Sequence, residues 1–264
     1  MNNNKYHIKG LKYQSNNKKY LKINHNQLLI LDSLLENGGY EKKYIDKSFN
    51  LRFSEHSGLL DFSKSKLEKI IISAKTNRED NDDFDILLPN DLCNIQEYEY
   101  MFHTHPPTPF PGSRSINGIL YEFPSIADVY HFAHHFNSGN IQGSLVITSE
   151  GIYIIRARSG VNKIDYPKSE KIFKKISSEL LNIQKLAIEK YGVLNNSQNI
   201  NSVTFDTEYF YSIISRDNTF LKMYNNLFIK YWGKLIKVYL KPRSKNKLNG
   251  KWEINSLLLP IITM

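Results

Sequence analysis

The stretch "GSLVITSEGIYIIRA" does most to constrain what this chain can fold into. Two apolar runs, 144–148 and 152–157, flank the turn residues Ser149, Glu150 and Gly151, the pattern of a β-hairpin. Upstream, strand and helix patterns alternate. "NHNQLLILDSLLENGG" reads as a helix capped by Asn26, with Leu28, Leu29, Leu31, Leu34 and Leu35 on its apolar side and Gly38-Gly39 as its stop. A strand is expected within Tyr13 to Ile23. "LRFSEHSGLLDF" and "KLEKIIISAK" read as two more strands around a turn at Ser63 to Lys66. "IQEYEYMFH" alternates, with Ile95, Glu97, Glu99 and Met101 on one face, as a strand does. "PSIADVYHFAHHF" takes up helical spacing through Ile126, Val129, Tyr130 and Ala133. Residues 1–165 therefore read as one mixed α/β domain, with helices beside a sheet.

After Pro167 the texture changes. "KSEKIFKKISSELLNIQKLAIEKYG" carries Ile172, Ile176, Leu180, Ile183 and Ala187 at helical spacing and ends at Gly192. The Asn/Ser stretch "VLNNSQNINS" then leads to an aromatic-rich segment, Asp206 to Leu240, also read as helical. Residues 166–264 are thus expected to be a mainly helical C-terminal extension.

Composition limits the chemistry. The lone cysteine, Cys93, excludes an internal disulfide and favours a reducing, intracellular setting, cytoplasmic or nuclear. It also leaves histidine and carboxylate to hold any metal. "MNNNKYHIKG" has no apolar core of signal-peptide length, and no apolar run of membrane-spanning length occurs, so a soluble protein without a membrane partner is expected. The formal charge of +9 invites a nucleic-acid reading, with Lys222 to Lys251 and the interspersed Tyr224, Tyr231, Trp232 and Tyr239 as its grip. Lysines outnumber arginines, however, and the Asn/Lys/Ile/Tyr bias needs no selection for binding. An aromatic core with lysines on its wet side is the preferred account.

The chemistry concentrates in "MFHTHPPTPF". On a strand, His103 and His105 point to one face and can reach one ion if the strand persists through Thr104. A catalytic zinc needs three protein ligands and one open position. The third candidate is Asp128 in "PSIAD", where Ser125 and Asp128 also have the spacing of a capping box, so both roles stay open. His131 and His135, three and seven residues after Asp128 on the same side of the helix, compete as ligands or supports; packing or surface roles are the plainer account. Upstream, Glu55 in "SEHSGLLDF" precedes an apolar strand, and His56 should face away from it.

In this order the pieces resemble the JAMM (MPN+/JAB) metalloprotease family: E-x-x-G-L-L, H-T-H-P, S-x-x-D, then "SLVITSEGIYII", over roughly residues 26–158. The resemblance implies an MPN-like mixed sheet flanked by helices. It implies one catalytic zinc on His103, His105 and Asp128, with Glu55 as general acid/base and Ser125 holding the developing oxyanion. The implied activity is zinc-dependent hydrolysis of isopeptide bonds, with a ubiquitin or ubiquitin-like conjugate as substrate. A rival reading is a non-catalytic MPN scaffold that engages a protein partner through its C-terminal helices; a basic nucleic-acid module is third. One spacing departs from the family. Ser125 follows His105 by twenty residues (125 − 105) rather than about eight, so residues 106–124 read as a Pro-rich insertion beside the metal. Ser113 and Ser115 do not fit, because Ile116 and Gly118 stand where the carboxylate belongs.

Overall fold

A computed structural model of the 264-residue chain describes residues 20–40, 43–45, 51–53, 55–73, 98–106, 123–139, 141–167, 169–191 and 207–261. Cys93, the acidic stretch 76–85, most of the 106–124 insertion, Gly192 and the Asn/Ser stretch 193–202 lie outside those residues.

Within Tyr13 to Ile23, the described part is a strand, β1 (Tyr20–Asn24), followed by α1 (His25–Tyr40). The short pair β2 (Lys43–Ile45) and β3 (Leu51–Phe53) forms a small antiparallel sheet. The next strands are β4 (Ser57–Ser63), β5 (Lys66–Ile72) and β6 (Tyr100–Thr104). Helix α2 (Ile126–Ser138) and the hairpin β7 (Gly143–Ile147) and β8 (Gly151–Ala157) follow. The C-terminal half holds α3 (Glu170–Tyr191), α4 (Thr207–Ser212) and α5 (Asn218–Trp232). It then gives β9 (Ile236–Pro242), the small pair β10 (Ser244–Lys245) and β11 (Trp252–Glu253), and β12 (Ser256–Pro260).

Eight strands make one mixed sheet in the order β12-β1-β5-β4-β6-β7-β8-β9. It is parallel at β1/β5 and β6/β7 and antiparallel elsewhere. The protein is therefore mixed α/β, with helices on both faces of a large sheet. On one face Leu28, Leu31 and Leu35 of α1 pack with Leu60, Phe102, Leu145 and Ile154. On the other, Val129 and Phe132 of α2, Ile176 and Leu180 of α3, and Phe220, Tyr224 and Phe228 of α5 pack with Leu59, Met101, Val146 and Tyr153. With both faces covered, every residue of β6, β7 and β8 is buried, which is why β7 and β8 read as continuous apolar runs.

Several local expectations need correction. Leu29 is exposed rather than on the apolar side of α1. The helix starts at His25, so Asn24 rather than Asn26 stands at its cap, and the Asn24 N–H donates to Gln27 Oε1 at 3.0 Å. Gly38 and Gly39 lie inside the last turn instead of ending it. "LRFSEHSGLLDF" is not one strand: Leu51–Phe53 pairs with β2, and Glu55 sits just before β4. The turn between β4 and β5 is as expected, with Lys64 and Ser65 at positive φ (49° and 67°).

The largest correction concerns residues 206–240. The helices stop at Trp232, and Ile236–Pro242 is the strand β9, paired antiparallel with β8. Gly233, at φ 61°, breaks the run. Farther on, β12 pairs with β1 at the opposite edge of the sheet. The C-terminal region, expected to be mainly helical, supplies both outermost strands of the main sheet as well as three α-helices.

Side chains from the C-terminal half also tie the layers together. Asn225 of α5 clamps the outer edge of β9, donating to the Val238 carbonyl at 2.8 Å and accepting the Val238 N–H at 2.9 Å. Arg243 makes a two-pronged ion pair with Asp32 of α1 at 2.7 Å and donates to the carbonyls of Ser149 (2.9 Å) and Thr148 (3.0 Å). Asp217 caps α5 by accepting from the Thr219 N–H at 2.9 Å, and it also accepts from Tyr191 Oη (2.6 Å) and Lys190 Nζ (2.7 Å). Desolvation pushes its carboxyl up, but these donors outweigh that and hold it well below the usual carboxylate range. A depressed native value means stability that is present above the unfolded value, near 3.9, and lost as pH falls through the native one. Asp217→Ala should therefore cost about 1 kcal/mol in urea unfolding at neutral pH and flatten the acid limb of the stability profile.

Candidate metal centre

The centre begins with the β6 ladder. His103 pairs in register with Ser57 of β4 on one side and with Val146 of β7 on the other. The ladder continues past the strand's end, where the His105 N–H donates to the Ile147 carbonyl at 2.8 Å. Backbone therefore fixes both histidines, and the strand does persist through Thr104. Their Nε2 atoms lie 3.0 Å apart on the face covered by α2, and both side chains are buried.

Thr104, between them, points the other way and ties down the neighbouring segment. Its Oγ1 accepts the His56 N–H at 2.9 Å, and its own N–H donates to the His56 carbonyl at 2.8 Å. The β4/β6 register ends at Ser57 opposite His103, and Glu55 lies two residues before it, half-buried, in the segment that these Thr104–His56 bonds hold beside the histidine strand. His56 points away as expected, its Nε2 meeting Asn37 Oδ1 of α1 at 3.0 Å.

The third group arrives on α2. Ser125 caps that helix: its Oγ accepts the Asp128 N–H at 3.1 Å, and the Asp128 carboxylate accepts the Ser125 N–H. The capping box and the metal reading hold together, because the same carboxylate faces the histidines. Asp128 Oδ1 lies 3.2 Å from His103 Nε2, and Oδ2 lies 3.5 Å from His105 Nε2. The S-x-x-D register is thus in place in spite of the long insertion. The returning end of that insertion is anchored by the C-terminal half. Tyr224 Oη donates to the Pro124 carbonyl at 2.6 Å, and its ring stacks on Phe123.

Electrostatics suit this group to holding a cation. Burial pushes the Asp128 carboxyl up, yet the two imidazoles and the hydrogen bonds from His103 and the Ser125 N–H bring it well below the usual carboxylate range. A buried carboxylate facing two imidazole nitrogens concentrates lone pairs where one positive charge is needed. The separations of 3.0, 3.2 and 3.5 Å match the ligand edge of about 3.3 Å that tetrahedral zinc with bonds of about 2.0–2.1 Å requires. His103 Nδ1 is buried and meets no hydrogen-bond partner among the described residues, so they supply no outer anchor for that ring.

His131 and His135 do not join the cluster. Among the described residues only His103, His105 and Asp128 bring ligand atoms together in a group of three or more, all within 4.8 Å. His131 and His135 instead meet each other, Nε2 to Nε2 at 3.2 Å. Burial first, and the imidazoles of His135 and His103 next, push His131 down to about 3. The role of Tyr224 was not visible in the sequence, where it sits 100 residues from its partner. It is also the aromatic core residue that the sequence suggests: Tyr224 and Trp232 are buried, whereas Tyr239 is exposed with Lys237 over its ring. No described helix is long and apolar enough to cross a membrane.

No family model matches the chain, and no solved structure matches it significantly. The chain is similar to an uncharacterized protein of Acanthamoeba polyphaga mimivirus, 32% identical over 253 residues in an alignment covering 92% of this chain and 66% of the relative. It thus spans just under two-thirds of that relative's length.

Proposed function

We propose that this chain is a zinc-dependent isopeptidase of the JAMM type, acting on lysine-linked ubiquitin or a ubiquitin-like modifier. The observation that carries the reading is the meeting of His103, His105 and Asp128, separated by the Pro-rich insertion in sequence, at the spacing of a tetrahedral ligand face. The substrate class rests on the family resemblance of the motif.

The fit to zinc comes from the donor set: two imidazoles and one carboxylate kept ionised, the composition of a hydrolytic site that leaves one position open. Zinc bound there supplies a Lewis acid and a water of lowered pKa. The chain's own groups do the rest. Glu55, just ahead of β4, takes the proton from the attacking water at its carboxylate and returns it to the lysine Nζ as the amine leaves. Ser125 Oγ already accepts the Asp128 N–H, which leaves its hydroxyl proton to donate to the oxygen that gains charge as the carbonyl is attacked. The capping box keeps Ser125 and Asp128 in fixed relation, so a ligand and an oxyanion donor move as one unit.

The test is metal content together with cleavage of lysine-linked diubiquitin. About one tightly held zinc per chain, with cleavage abolished by chelation and restored by zinc, is the expected result. Cleavage that survives complete zinc removal, or zinc-loaded protein that cleaves no isopeptide, overturns the proposal.

A further inference from the structure

The histidines the first site leaves out form a second arrangement. One turn apart on α2, His131 and His135 hold their Nε2 atoms 3.2 Å apart with rings inclined at 72°. That separation falls within the range spanned by the first cluster and close to the tetrahedral edge of about 3.3 Å. A lone hydrogen bond between two neutral imidazoles would satisfy one nitrogen of each ring. His131 Nδ1 is buried with no partner among the described residues, so no hydrogen bond on its far side fixes which nitrogen of that ring carries the proton. Both Nε2 atoms are then open to present lone pairs, and at this separation one cation would engage the two together.

We infer that His131 and His135 form a second site, distinct from the His103, His105 and Asp128 centre, for a divalent transition-metal cation. Imidazole selects ions of the zinc, nickel and copper class, and two histidines at i and i+4 on a helix chelate them. No other His, Cys, Asp or Glu among the described residues places a ligand atom within 4.8 Å of both, so water completes the coordination and the ion exchanges readily. His131 also interacts electrostatically with His103 and Asp128. The two ions therefore sense each other: filling the first site weakens the second, and by linkage the reverse holds. This site does not depend on the isopeptidase reading.

Zinc binding to metal-free full chain, followed by indicator competition and by elemental analysis after dialysis, tests the inference. Wild type should take up two ions per chain, the second at least about tenfold more weakly. His135→Gln should lose the weaker ion and keep the first, with the cobalt-substituted protein retaining a tetrahedral cobalt spectrum as proof that the fold and first site survive. His103→Gln should keep the weaker ion. If only one ion binds wild type and His135→Gln, but not His103→Gln, abolishes it, the second site stands and the first reading fails. Equal stoichiometry and affinities for wild type and His135→Gln overturn the inference.

Discussion

Glu55→Gln should lower the turnover of lysine-linked diubiquitin by about 100- to 10,000-fold while leaving zinc content unchanged. The amide keeps the shape and hydrogen-bonding reach of the carboxylate but cannot accept a proton at neutral pH. Metal should be spared because Glu55, just ahead of β4, contributes no atom to the three-residue ligand group. The loss should fall on kcat rather than KM, since proton transfer is realised only in the transition state. A variant that keeps wild-type turnover would remove Glu55 from the mechanism; one that loses its zinc would make it a ligand or a structural support.

The second large effect concerns stability. His103, His105 and Asp128 gather two imidazoles and a carboxylate in the protein interior, a donor set whose binding energy for a cation adds to folding stability. Zinc at about 1,000 times its Kd should raise the unfolding free energy of wild type by about 4 kcal/mol, read as a shift in the urea midpoint. In His103→Gln most of that shift should vanish, leaving the smaller contribution of the His131 and His135 pair. An equal zinc response in both proteins would show that the stabilising ion binds elsewhere.

Much of this architecture was legible because it is local. The S-x-x-D cap and the hairpin turn are each written within a few residues and form as read, while of the alternating stretch read from Ile95 to His103 the described strand is Tyr100–Thr104, buried on both faces. The same-face placement of His103 and His105 follows from period two alone. What failed was non-local. "IKVYL" carries Ile236, Val238 and Leu240 at period two, with Gly233 ahead of it as a stop. The aromatic-rich run through Trp232 nevertheless led to a helical reading through Leu240. Its strand character is fixed by the β8 edge, about 80 positions earlier in the chain. Likewise the alternating pattern around Glu55 gave no sign that β3 breaks off to pair with β2. Nor did anything local to Tyr224 announce its bond to Pro124; only the packing of α5 against α2's entry creates that role.

The edge strand β9 has a consequence for the life of the chain during synthesis. All three candidate metal ligands are made by residue 128 and β8 is complete at Ala157, but the strand that covers its outer edge starts only at Ile236. Until then a wholly apolar strand, "GIYIIRA" but for one arginine, presents unpaired backbone to its surroundings. Chains that stop before Ile236 would therefore carry all three candidate ligands with this strand edge uncovered, and they are expected to aggregate more readily than the full chain.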